Sequence, residues 1–259
     1  MLGSDFRKRL QAGEVLLGCN VRHSRTAEIG AILAACGYSW IMLDSEHSPI
    51  APHFGYDIAL GALRAGILPL GRVKENRPSD IGHWLTNGVM GVIVPHVESA
   101  AEAEAAAHAS RYPPLGGLSV PGSIPQVGYG RPLAESARAF NEESLTLAMI
   151  ESRRAVADVE RIAAVPGIDV LFIGASDLVH DMGLPGRYDD PDVVDAVRRT
   201  VEAARRQGKF VAMGGPGRDE HWALFIEIGV QMVLTENDLS LLMRGARERA
   251  AFFAGLVGK

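Results

Sequence analysis

The sequence predicts an α/β protein built as a closed (β/α)8 TIM barrel. Three observations carry that reading. Eight short apolar runs recur along 259 residues, a helical pattern follows each, and no linker or composition break interrupts them. A doubly wound open sheet would show the same alternation, because alternation alone does not show closure. The chain reads as one domain over residues 1–259, since barrels of this length are commonly single domains.

The predicted strands are Val15–Cys19, Trp40–Leu43, Ile67–Val73, Gly88–Val94, Leu145–Ile150, Val170–Ile173, Phe210–Met213 and Gln231–Leu234. Each is nearly continuous in Val, Ile, Leu, Met and Phe. That pattern suits strands buried on both faces, as in parallel sheets. Helices are expected near 26–36, 57–65 and 78–86. Ser99-Ala-Ala-Glu102 opens an Ala-rich helix as a capping box. The connection over 111–144 is rich in Gly and Pro, holds one short helix near 132–141, and is long enough to be functional or an assembly surface. Helices then follow over 153–164, from Asp190-Pro191 to the glycine stop at Gln207-Gly208, and over 218–228 and 238–255.

Composition excludes several functions. A net charge of -5 gives no reason to expect nucleic acid or an anionic membrane as partner. No apolar run approaches the roughly 18 residues that a membrane span needs. The opening MLGSDFRKRLQAGE is too polar for a signal peptide. Cys19 and Cys36 form no C-x-x-C, and read as small apolar residues of a protein in a reducing cytoplasm.

Active sites of such barrels stand at the carboxyl ends of the strands. Those ends carry Asp44-Ser-Glu46-His47, Arg72 with Lys74, Pro95-His96-Val-Glu98, Glu151, Gly174-Ala-Ser-Asp177, Gly214–Gly217 and Thr235-Glu236-Asn237. Any one of these could be a solvated turn or a helix cap. Acids, an imidazole and a guanidinium on one rim point instead to chemistry. Glu151 and Asp177 lie on adjacent strands and could hold a divalent cation, with waters and substrate completing an oxygen shell. Arg72 offers a planar fork for a substrate carboxylate. His47 can exchange protons near neutral pH. A Schiff-base mechanism needs a lysine inside the barrel. Of Lys8, Lys74, Lys209 and Lys259 only Lys74 is suitably placed, so metal chemistry is the better-supported route to an enolate.

The stretches GYSWIMLDSEHSP, VIVPHVESAAEAEAAAHASRYPPLG and MIESRRAVADVERIAAVPGIDVLFIGASDL resemble the HpcH/HpaI aldolase family, metal-dependent class II pyruvate aldolases distantly similar to citrate lyase β-subunits. The resemblance covers nearly the whole chain. It implies a (β/α)8 barrel whose last helix is exchanged between subunits of a homo-oligomer, commonly a hexamer built as a trimer of dimers. It implies Glu151 and Asp177 as ligands of Mg2+, Mn2+ or Co2+, Arg72 on the substrate carboxylate and ketone, and His47 as acid/base. Asp44 and Glu46 would stand beside it, and Gly174, Ala175 and Ser176 would line the pyruvate pocket. The implied reaction is reversible cleavage of a 4-hydroxy-2-oxo acid to pyruvate and an aldehyde, of the kind used in aromatic compound catabolism.

The sequence departs from the family pattern at three points. Asn87 stands where an aspartate often supports the histidine across a subunit contact. Met149 stands where many members have glutamine. GGLSVPG after the R-Y-P-P motif lacks the usual arginine. These departures leave two alternatives: a metal-dependent oxaloacetate decarboxylase or related acid lyase, and a non-catalytic barrel that binds a keto acid.

Overall fold

A computed structural model of the protein describes residues 2–257. Eight parallel strands close into a barrel in sequence order: β1 (Leu16–Val21), β2 (Trp40–Asp44), β3 (Leu68–Arg72), β4 (Gly91–Val94), β5 (Leu145–Ile150), β6 (Val170–Gly174), β7 (Phe210–Gly214) and β8 (Met232–Asn237). Pairing of β1 with β8 completes the ring and rules out the open sheet. The expected strands are all present. Several run one to three residues further toward their carboxyl ends, so Asp44, Gly174, Gly214 and Glu236 belong to strands.

The helices around the barrel are α2 (Ile29–Ala35), α3 (Pro52–Arg64), α4 (Pro78–Leu85), α5 (Ala100–Ala109), α6 (Leu133–Glu143), α7 (Arg153–Ala157), α8 (Val159–Ala164), α9 (Ala175–Asp181), α10 (Pro191–Arg206), α11 (Asp219–Ile228) and α12 (Asp238–Val257). Ser99 caps α5 by accepting from the Glu102 N–H, as the sequence predicts. Asp190 and Pro191 start α10, and Gly208 follows its end with φ +64°. The helix expected over 153–164 is divided at Asp158, whose carboxylate accepts from the Ala100 N–H at the start of α5. Helix α9 was not expected, because its seven residues follow β6 without a break.

Period-two alternation sorts the strands into two cores. Trp40, Met42, Leu68, Leu70, Ile93, Leu147, Met149, Phe172, Ala212 and Met232 fill the barrel interior. Their neighbours Ile41, Leu43, Val92, Val94, Ala148, Ile150, Leu171, Ile173, Val211 and Met213 pack outward against helix residues such as Ile58, Ala62, Ile81, Leu85 and Ala106.

An additional helix, α1 (Leu2–Gln11), lies in the stretch that reads only as polar. Phe6 and Leu10, one turn apart, are buried with Leu16, Trp40 and Leu145, so α1 closes the amino-terminal mouth of the barrel. Polar contacts fix it there. Glu143 accepts from the Ser4 N–H and hydroxyl at 2.8 Å, and Arg7 donates to the Ser144 carbonyl and to Asp169. The opposite, carboxyl-terminal mouth stays open, and the polar strand ends collect there.

Helix α12 is the exception to barrel packing. Leu242, Phe252, Phe253 and Leu256 are each about half or more exposed. Leu17, on the outer face of β1, is 38% exposed, whereas Cys19 and Val21 further along that face are buried, so helix cover is missing only at the start of β1. Among the described residues, no helix is long and apolar enough to cross a membrane.

The interior has little spare room at its base. A Cβ at Gly18 would stand 2.1 Å from Trp40 Cε2, and the Trp40 indole is fixed by donating to the Leu16 carbonyl. Gly18→Ala is therefore expected to lower stability by about 1–3 kcal/mol, the usual cost of overpacking. Urea unfolding measures it, and an unchanged midpoint would show that the Trp40 packing is looser than described.

Candidate active site

The alternation that turns Met42 inward also turns Asp44 inward, one layer higher. Asp44 is fully buried and pairs with Arg72, its register partner on β3. The pair is bidentate: Arg72 Nε donates to Oδ1 at 3.0 Å and Nη2 to Oδ2 at 2.6 Å. Arg72 Nη1 lies 3.1 Å from Glu46 Oε2. One N–H on each Nη remains, and Arg72 lines the cavity above.

Asp44 also shapes the turn after β2. Its Oδ1 accepts from the backbone N–H groups of Glu46 and His47, both at 3.1 Å, and Asn20 Nδ2 lies 3.4 Å from Oδ2. Burial pushes the Asp44 carboxyl up, but the Arg72 hydrogen bonds and charge, with those from His47 and Asn20, overrule it and hold its pKa below the usual value. The aspartate thus sits beneath the site and orients it. Glu46 and His47 reach the rim, with the imidazole half exposed and its Nε2 3.9 Å from Glu46 Oε2.

Glu151, just beyond β5, is 5% exposed. Its Oε1 accepts from the His96 backbone N–H at 2.7 Å and lies 2.9 Å from His96 Nδ1. The other ring nitrogen of His96 is 3.2 Å from Glu46 Oε1, so one imidazole bridges two carboxylates. His96 has φ +54°, a left-handed conformation uncommon outside glycine and often found at functional sites. Burial raises the Glu151 pKa; the His96 contacts oppose this, while the charges of Asp177 and Glu46 add to it. Such clustered acids favour a bound cation. Among the described residues, no three His, Cys, Asp or Glu side chains form a metal cluster on their own. Two carboxylates supplemented by water and substrate oxygens remain the arrangement that fits.

A cavity of about 270 Å³ opens at this rim, lined by His47, Arg72, Gly174, Ser176 and Asp177 over an apolar floor that includes Met149 and Phe172. There is no room for a side chain at Gly174, where a Cβ would stand 2.7 Å from Glu151 Oε2. Ala175 is buried behind the lining at the start of α9. Asn87 lies elsewhere. It lines a separate cavity with Ser45, Lys74, His83 and Trp84, and its amide donates to the His83 carbonyl.

The structure therefore gathers Asp44, Glu46, His47, Arg72, Glu151 and Asp177 at one mouth, and does not bring Asn87 to His47 within a chain. Sequence reasoning left His96 out of the site, although it carries the signal that selected His47: an imidazole next to acids at a strand end. Asn20 and Asn237 also line the cavity; Asn237 ends the eighth apolar run but carries no role in the sequence reading, and Asn20 stands in no pattern that marks it out.

An acid-lined mouth with a guanidinium and an imidazole, on a closed (β/α)8 barrel, defines a class of small-molecule lyase sites. The family model for HpcH/HpaI aldolase/citrate lyase matches residues 22–215, and the chain belongs to this family. It is an aldolase-type enzyme, a carbon–carbon lyase. Pyruvate aldolase of Rhizobium etli is 34% identical, covering 97% of this chain and 98% of that protein. Hydroxypyruvate/pyruvate aldolase of Sagittula stellata is 33% identical over 95% and 96% of the two chains. The crystal structure of an HpcH/HpaI aldolase from Desulfitobacterium hafniense superposes with a TM-score of 0.88 at 28% identity, covering 95% of each chain.

The depressed Asp44 pKa makes a prediction about stability. An acid whose pKa is lowered on folding stabilises the protein above its unfolded value of about 3.9, and that contribution is lost as pH falls through the folded value. Urea unfolding of the wild type is expected to weaken from pH 5 to 3 more steeply than that of Asp44→Asn. Parallel slopes would count against the pair as described.

Proposed function

We propose that the enzyme cleaves 4-hydroxy-2-oxo acids reversibly to pyruvate and an aldehyde, with a divalent cation held by Glu151 and Asp177. The observation that carries this reading is the pair of acids Glu46 and Glu151 bridged by His96, beside a cavity lined by Asp177, Arg72 and His47. Aldolases of the family are generally metal-dependent, and an all-oxygen donor set suits Mg2+, Mn2+ or Co2+. When bound, the ion would polarise the 2-keto oxygen and offset charge that develops there.

The remaining roles belong to the chain. Arg72, fixed by Asp44, directs its free N–H groups at the substrate carboxylate and 2-oxygen. Gly174 and Ser176 form the wall against the pyruvate portion, with Ala175 packed behind them. His47 takes the proton of the 4-hydroxyl, the C3–C4 electrons move onto the pyruvate fragment as its enolate, and the 4-carbon leaves as an aldehyde. Protonation at C3 gives pyruvate. Asp44 orients Arg72 and the His47 turn, and Glu46 steadies Arg72 and His96.

Oxaloacetate decarboxylation shares the enolate but has no hydroxyl proton to remove. The apolar Met149 in the cavity keeps this second reaction in view. His47→Ala is therefore expected to reduce aldol cleavage by about 100-fold or more, and oxaloacetate decarboxylation far less. Pyruvate release from both substrates, followed with each metal, measures the split. Equal losses would remove His47 from proton transfer, and decarboxylation faster than every aldol cleavage would favour the second reading. Addition of Mn2+ should raise the melting temperature of the wild type but not of Glu151→Gln. Equal shifts in the two proteins would place the ion elsewhere.

The bare apolar residues of α12 and the exposed Leu17 at the start of β1 support an exchange of this helix between paired copies in a homo-oligomer, a trimer of dimers by family resemblance. In that assembly Asn87 can approach the His47 of a neighbouring copy. Phe252→Asp with Leu242→Asp should yield a smaller species by light scattering, whereas an unchanged mass would argue against exchange.

A further inference from the structure

His47 stands on an exposed turn, yet its backbone is held from both sides. Asp44 accepts from its N–H, and Arg22 Nη2 donates to its carbonyl at 2.5 Å. Arg22 lies just beyond β1, and its Nε is 3.8 Å from Asp44 Oδ2. Its backbone is gripped in turn. The carboxylate of Asp238, whose side chain is 6% exposed, accepts from the N–H of Arg22 at 3.1 Å, of His23 at 3.0 Å and of Ser24 at 2.6 Å. Asp238 is the first residue of α12, the helix that leaves the barrel with its apolar side chains bare.

We propose that Arg22 is a positioning residue for His47, and that Asp238 sets the place of Arg22 from the root of α12. The proposal rests on the reading of His47 as the acid/base. The chain of contacts is short: carboxylate to three backbone N–H groups, guanidinium to carbonyl, then the imidazole of the same residue. The first two links are charge-assisted hydrogen bonds, among the stronger and more directional contacts available, and the last is covalent. No other side chain among the described residues is hydrogen-bonded to the His47 carbonyl, so loss of Arg22 frees that side of the turn. A base displaced by about 1 Å can cost 100-fold in rate. The geometry also gives α12 a second role. The helix that would dock on a neighbouring copy begins at the residue fixing the turn that orients His47, so assembly and proton transfer share one joint.

The test uses full-length Arg22→Ala, Arg22→Lys, Asp238→Ala, the Arg22→Ala/Asp238→Ala double variant and His47→Ala, assayed with Mn2+ for retro-aldol cleavage and for oxaloacetate decarboxylation. Arg22→Ala and Asp238→Ala should each lower the aldol kcat by about 10- to 100-fold. KM should move little, and the limb of the kcat–pH profile that His47→Ala abolishes should shift. Decarboxylation should fall much less, since it needs no base. Arg22→Lys should recover part of kcat, and the double variant should lose no more than Arg22→Ala alone, as expected for residues acting in series.

Wild-type kcat and pH profile in Arg22→Ala, with His47→Ala impaired, would overturn the positioning role and leave the proposed reaction standing. Multiplied losses in the double variant would overturn the link through Asp238. Full aldol activity in His47→Ala would instead overturn the reading beneath both. If Arg22→Ala does not fold, Arg22→Gln takes its place, and an unshifted pH limb there carries the same contradiction.

Discussion

The buried pair of Asp44 and Arg72 is the contact on which the mouth of this barrel depends. Neither group could stand alone there: the aspartate is fully enclosed and the arginine nearly so. An unpaired charge at such a depth costs several kcal/mol, whereas a pair in bidentate register with its other lone pairs satisfied is tolerated. The register of β2 against β3 brings the two opposite each other, so the pairing of these strands also assembles this part of the site. From that pair, Asp44 bends the chain so that Glu46 and His47 reach the rim, and Arg72 keeps N–H groups for the cavity.

The rest of the rim is organised around crowded negative charge. Burial pushes Glu151 toward its neutral form, and the charges of Asp177 and Glu46 add to that push. Arg72 and His96 offset part of this repulsion. The left-handed backbone of His96 lets one residue give both its N–H and a ring nitrogen to the same oxygen of Glu151. Strain and repulsion gathered at one place are usual where a fold is shaped for a ligand. Under the proposed function, a cation with an oxygen shell would relieve them.

The barrel was legible in the sequence because most strands are buried on both faces, leaving eight short apolar runs. Helix caps were legible for the same local reason: Ser99 and Asp190 act within three residues of themselves. Helix α1 was not, because its sparse stripe of Phe6 and Leu10 gains meaning only from the barrel floor it covers. Asp44, Glu46, His47, Arg72, Glu151 and Asp177 could be picked out as polar residues ending apolar runs. The service of Asp44 beneath the site could not, since it depends on strand register. His96 was visible at the end of β4, but its two carboxylate partners lie 50 and 55 positions away, a relation only folding creates. Asn87 carried a role by family resemblance that a single chain does not supply.

The proposed reaction requires this rim to hold a divalent ion between Glu151 and Asp177 with the substrate carboxylate against Arg72. A crystal grown with Mn2+ and oxalate, a mimic of the pyruvate enolate, tests it most directly through anomalous scattering. One manganese peak is expected within bonding distance of both carboxylates, with oxalate against the ion and the Arg72 guanidinium. A peak at another acidic cluster, or oxalate bound away from Arg72, would contradict it.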